Sequence, residues 1–139
     1  MSGPREFRLP GGGPSGRVLV IDDDEFEREV LIDLLNRAGF EATGLPSMIG
    51  VTNHVVREQI DVVVLDIMMP TIRGDKLASL LMKNSALADL GIVMVSALPQ
   101  AEVAPILAHI RVDAFVSKAN VRTDLAAAVT RSKMRRSIA

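Results

Sequence analysis

Hydrophobic and polar positions fall in alternating blocks along this chain, and the blocks change period. "RVLVI" (17–21) is a short β-branched run. After it, Phe26, Val30, Leu31, Leu34, Leu35 and Ala38 recur at the spacing that puts them on one helical face. Gly39 stands where a helix C-cap is expected, and "FEATG" (40–44) reads as a weaker strand. A segment from about Ser47 to Glu58 reads as a second helix, with Met48, Val51 and Val55 as its stripe. "DVVVLD" (61–66) is a third strand, leading through Pro70 and Gly74 into a helix carrying Leu77, Leu80 and Leu81. "GIVMVS" (91–96) is a fourth strand, followed by a helix with Val103, Ile106, Leu107 and Ile110. "AFVS" (114–117) is a fifth, and a last helix lies around "RTDLAAAVTRS" (122–132).

Five strands alternating with five helices predict βαβ units and a parallel sheet. Right-handed crossovers place helices on both faces. Residues 18–21, 62–65 and 92–95 are almost wholly apolar, as strands covered on both faces should be. The predicted fold class is a three-layer α/β sandwich.

Composition narrows this further. At 139 residues the chain suits one domain. The Gly/Pro-rich residues 1–16 read as a flexible tail, 17–132 as the domain and 133–139 as a short basic end. The apolar fraction of 48% is too high for a disordered chain, and with four Phe as the only aromatics the core must be aliphatic. A net charge of −1 argues against general affinity for nucleic acid or anionic membrane. Without cysteine there are no disulfides or thiolate metal sites. The first sixteen residues lack a signal-peptide core, and no apolar run nears the roughly 20 residues that span a membrane. A cytoplasmic location is therefore expected.

Groups at the carboxyl ends of parallel strands converge on one edge, where ligands bind. Here they are Asp22, Asp23 and Asp24, then Asp66, Ser96 and Lys118. Asp66 ends the most apolar strand, where an isolated buried carboxylate would be costly. Carboxylates this close repel unless they share a proton or a divalent cation, and with no His or Cys near them a hard ion such as Mg²⁺ fits best. Asp23 and Asp66 are expected as direct ligands, with Asp22 acting through water. Asp24 is assigned mainly to capping the first helix, a role that is also the plain alternative for its two neighbours. A metal, a hydroxyl and a lysine around a carboxylate make a site for a phosphoryl group. Asp66 would be its nucleophile, compensated by Lys118, with Ser96 donating to a phosphoryl oxygen.

"VLVIDDDE", "VVVLDIMMP…G", "VMVSA" and "AFVSK", in this order at four strand ends, together resemble the receiver domain of two-component response regulators, over about residues 17 to 132. The resemblance implies a flavodoxin-like sheet of order 2-1-3-4-5 and a single-domain, chemotaxis-regulator-like protein. It implies Asp66 as phosphoacceptor and Asp22 and Asp23 as the Mg²⁺ pair, with the Met68 carbonyl completing the protein ligands. Ser96 corresponds to the switch hydroxyl, Lys118 to the salt-bridging lysine and Phe115 to the aromatic that swings inward with Ser96. Two positions depart from the family pattern. Ala119 replaces the proline that usually follows the lysine, so a trans bond and a rearranged loop toward Asn120 are expected. Arg73 replaces an Asp before the glycine that follows "MMP".

The implied function is a signalling switch phosphorylated on Asp66 by a histidine kinase or a histidine phosphotransfer protein, with no separate substrate. With no second domain expected after Ala139, output would pass through protein contacts on the fourth helix, fifth strand and fifth helix, roughly residues 99 to 131. A DNA-binding output is not expected. The alternative is a docking module that has lost regulated phosphorylation. Enzyme readings fit less well. Met68 stands where an aspartyl phosphatase has its second Asp, no P-loop is present, and Glu27 stands at the glycine position of a calcium loop. His54 and His109 read as surface residues, and Met68 and Met69 as packing.

Overall fold

The structure, a computed structural model, describes residues 16–66, 83, 87, 89–108 and 111–138. Strands β1 (Arg17–Ile21), β2 (Glu41–Leu45), β3 (Val62–Asp66), β4 (Gly91–Ser96) and β5 (Ala114–Ser117) form one parallel sheet in the order β2-β1-β3-β4-β5. Four α-helices are described: α1 (Glu25–Arg37), α2 (Val51–Arg57), α3 (Gln100–Leu107) and α4 (Val121–Ile138). The helix expected around Leu77, Leu80 and Leu81 lies outside the described residues, as do His109 and Ile110.

Strand alternation sorts the apolar side chains into two layers. Leu19, Ile21, Val63, Leu65, Ile92 and Met94 pack with Val51 and Val55 of α2 and Val103 of α3. Val18, Val20, Val62, Val64, Val93 and Val95 pack with Leu31 and Leu35 of α1 and Leu125, Ala128 and Val129 of α4. Strands β1, β3 and β4 are buried on both faces, which is why their sequences scarcely alternate. Each large aliphatic side chain taken out of water contributes about 1.5–3 kcal/mol, and this burial is the main stabilising term.

Local signals set the boundaries. Helix α1 begins at Asp24, whose side chain accepts from the Glu27 N–H at 2.9 Å. It ends at Ala38, followed by Gly39 at φ +100, a conformation that glycine adopts without a Cβ clash. Helix α2 starts at Val51, four residues later than the periodicity suggests, because Gly50 takes a left-handed conformation that helical propagation cannot include. Helix α4 runs six residues beyond Ser132, through arginine, lysine and methionine, which are good helix formers.

The predicted stripe of α1 is overturned at its two ends, since Ala38 is exposed as well as Phe26. Phe26 belongs to the predicted buried stripe of α1, yet it is 78% exposed. Leu31 and Leu35, further along the helix, are the residues of that stripe that reach the interior. Phe26 sits on the first turn of α1, where it lines an open hollow with Val30, Lys118 and Val121 instead of packing into the core.

Candidate functional site

The apolar strands deliver their polar successors to one edge. Asp22 follows β1 and is held against β2 by its N–H, which donates to the Leu45 carbonyl at 3.2 Å. Its Oδ1 accepts from the Asp24 N–H at 2.9 Å. Its Oδ2 is buried with no hydrogen-bond partner among the described residues. Asp66, the last residue of β3, is 6% exposed, while Asp23 is exposed to solvent. One carboxylate oxygen from each of Asp22, Asp23 and Asp66 lies within 4.8 Å of the other two.

Lys118 opens a 3₁₀ turn (Lys118–Asn120) directly after β5. Its Nζ donates to Asp66 Oδ2 at 3.1 Å. It also donates to Glu27 Oε1 on α1. No peptide bond is cis among the described residues, so Lys118–Ala119 is trans as expected. The Ser117 hydroxyl caps the turn by accepting from the Ala119 N–H at 3.3 Å.

Charge in this cluster is poorly solvated. Burial pushes the Asp22 carboxyl up to about 6, against the opposing Asp24 hydrogen bond, and the nearby Asp66 charge adds to the rise. Burial works to lower the Lys118 ammonium, but its bonds to Glu27 and Asp66 outweigh this and hold it above the ordinary lysine value. Among the described residues, a buried carboxylate oxygen without a partner, three converging carboxylates and no soft ligand make a donor set that fits a hard divalent cation.

Ser96 is fully buried at the end of β4, and its Oγ accepts from the Leu98 N–H at 3.0 Å. Its register partner is Ser117, whereas Phe115 pairs with Met94. Ser96 and Phe115 are thus diagonal neighbours on one face of the sheet. Phe115 is partly buried against the core layer that contains Met94. Asp24 is the α1 cap that the sequence assigns it to be. His54, half-buried, lies 3.4 Å from the Thr43 hydroxyl. The Met68 carbonyl falls outside the described residues.

Among the described residues, Glu27 joins the site although the sequence reading gives it no role there. It holds the third position after the Asp24 cap, where a glutamate often reaches back to the cap's own N–H. Here it reaches across to Lys118, in the turn after β5, which no local pattern signals.

Residues 18–130 match the family described as "Response regulator receiver domain". The chain belongs to that family. The transcriptional regulatory protein GltR of Pseudomonas aeruginosa is 30% identical to this receiver domain over 80 residues. That match covers 58% of this chain and 33% of GltR, so the chain spans about a third of that relative's length. Among solved structures, a sensor protein from Polaromonas sp. JS666 superposes with a TM-score of 0.80 at 23% identity, covering 86% of this chain and 97% of that one. The response regulator TrrA from Thermotoga maritima, crystallised in complex with Mg(2+)-BeF, superposes with a TM-score of 0.70 at 26% identity. It covers 83% of this chain and 96% of its own. The sheet order of this receiver domain is the flavodoxin-like one that its sequence resemblance implies. Among its described residues, no helix is long and apolar enough to cross a membrane.

Proposed function

We propose that this receiver domain is a phosphorylation switch whose acceptor is Asp66, loaded by a histidine kinase or a histidine phosphotransfer protein in the cytoplasm. The observation that carries the reading is the Lys118–Asp66 bond at 3.1 Å beside the converging carboxylates of Asp22 and Asp23. In the transfer, an Asp66 carboxylate oxygen attacks the phosphorus of a phosphohistidine. The P–N bond breaks, its electron pair returns to the imidazole, which takes up a proton, and an acyl phosphate forms on Asp66. Lys118 offsets the charge gathering on the phosphoryl oxygens, and Ser96 supplies a hydroxyl that can turn to donate to one of them. Asp22, Asp23 and Asp66 would hold Mg²⁺, with the Met68 carbonyl, and the ion's charge would neutralise the oxygens opposite Lys118. The likeness to TrrA, whose crystals hold Mg(2+)-BeF, supports this choice of ion.

Incubation with Mg²⁺ and acetyl phosphate, followed by mass spectrometry, tests the reading. Wild type should gain one phosphoryl mass and Asp66→Asn none. Equal labelling of the two proteins refutes the assignment of Asp66. No labelling of wild type supports instead a docking module without regulated phosphorylation.

Output is proposed to run from Ser96 to Phe115. A hydroxyl drawn toward a phosphoryl group on Asp66 vacates space on the sheet face that Ser96 shares with Phe115, into which the partly buried ring can turn. Coupling of about 1–3 kcal/mol is ordinary for such switches, and burying more of a Phe ring is enough to supply it. The surface remodelled would be residues 99–131, which include α3, β5 and the first part of α4, and a downstream protein or a second copy would dock there. Addition of Mg²⁺ and beryllofluoride should shift the NMR signals of Phe115, α3 and α4. Shifts confined to the loops around Asp66 would contradict this route.

A further inference from the structure

Lys118 is shared between two carboxylates, and they differ in burial. The Asp66 side chain is 7% exposed and the Glu27 side chain 42%. Glu27 is itself anchored. Its N–H donates to Asp24 Oδ1 and the Asp24 N–H donates to Asp22 Oδ1, each at 2.9 Å. Hydrogen bonds therefore run unbroken from the acid cluster through the first turn of α1 to Lys118, and from Lys118 to Asp66. A lysine side chain has a long flexible stem with much rotamer freedom to lose. A second charged acceptor on a capped helix turn limits that freedom and aims the ammonium over Asp66.

Resting on the phosphoryl reading above, we propose that Glu27 is a positioning residue that holds Lys118 in the unphosphorylated protein and hands it over when Asp66 carries a phosphoryl group. The direction follows from burial and charge. A phosphoryl group brings about one further negative charge and three strong acceptor oxygens, in the less solvated half of the site, where each charge interaction is stronger. Glu27, nearly half exposed, can be rehydrated when it loses its partner. Loading must break the Glu27 pair, so removing the Glu27 charge should make loading easier.

The test uses the full chain with ¹³C-labelled carboxyl groups. Metal-free Lys118→Met reports where the Glu27 carboxyl signal lies without its lysine. Titration of wild type with Mg²⁺ and beryllofluoride should move the Glu27 signal toward that position. Glu27→Gln keeps the shape and an acceptor but not the charge, and should bind beryllofluoride about threefold to fivefold more tightly, the scale of one partly screened charge pair. A wild-type protein that loads while its Glu27 signal stays in place overturns the handover alone, as does unchanged or weaker loading of Glu27→Gln. A wild-type protein that does not load overturns the phosphoryl reading itself.

Discussion

Asp22→Asn should make the metal-free protein more stable at pH 8, by about 3 kcal/mol, or of the order of 10 °C in melting temperature. Asp22 is fully buried, and its carboxyl is raised from 3.8 to about 6 in the folded protein. The folded state thus holds this proton more tightly than the unfolded chain does. Below 3.8 both states are protonated and Asp22 costs nothing. As pH rises toward 6 the unfolded chain ionises first, and stability falls. Above about 6 the full cost is present. Asparagine keeps an oxygen to accept from the Asp24 N–H and removes the charge facing Asp66, so it should gain most above pH 6 and nothing below about 4. The Mg²⁺ proposed for this site compensates the same charge. Wild type should therefore be stabilised by millimolar Mg²⁺ at pH 8, because the ion binds only the folded state, and Asp22→Asn far less. Thermal melts of the two proteins at pH 4 and pH 8, with and without Mg²⁺, check this. Equal melting temperatures at both pH values would sink the account of Asp22.

Gly91→Ala, at the opposite edge of the sheet, should cost about 3 kcal/mol of stability. Gly91 opens β4 beside α4, and a Cβ there would lie 2.3 Å from Ser132 Oγ and 3.1 Å from Val62 Cγ2. Ser132 cannot yield cheaply. It is fully buried, and its hydroxyl donates to Asp113 Oδ2 at 2.7 Å. The same oxygen accepts from the Ile92 N–H at 2.9 Å. The new methyl group must push α4 away or break that bond inside the core. Adding Ser132→Ala removes the clashing hydroxyl, so the double variant should recover a good part of the loss even though Ser132→Ala alone destabilises. Urea denaturation of the four proteins measures the coupling. Strict additivity would show that the Gly91–Ser132 approach is not the cause.

Much of this fold is legible along the chain because its strongest signals are local. Residues 18–21, 62–65 and 92–95 must be buried on both faces simply because they carry nothing else, and the alternation with helices then forces a parallel sheet. Parallel strands share a direction, so Asp22, Asp66, Ser96 and Lys118 reach the same edge from positions far apart in sequence. The Asp24 cap and the Gly39 stop are local in the same way, each set by a backbone need within a few residues. What the chain leaves open depends on how elements sit against one another. Periodicity cannot show which turns of a helix other elements will cover, so Phe26 reads as core and lies in solvent. Strand register comes from tertiary packing, and only it makes Ser117, rather than Phe115, the direct partner of Ser96. Glu27 becomes part of the site because α1 packs against α4 and so brings a first-turn carboxylate within reach of Lys118, 91 residues away along the chain. The chemistry of this edge is written in its residues, but the sharing of its one described lysine between two acids exists only once the helix has docked.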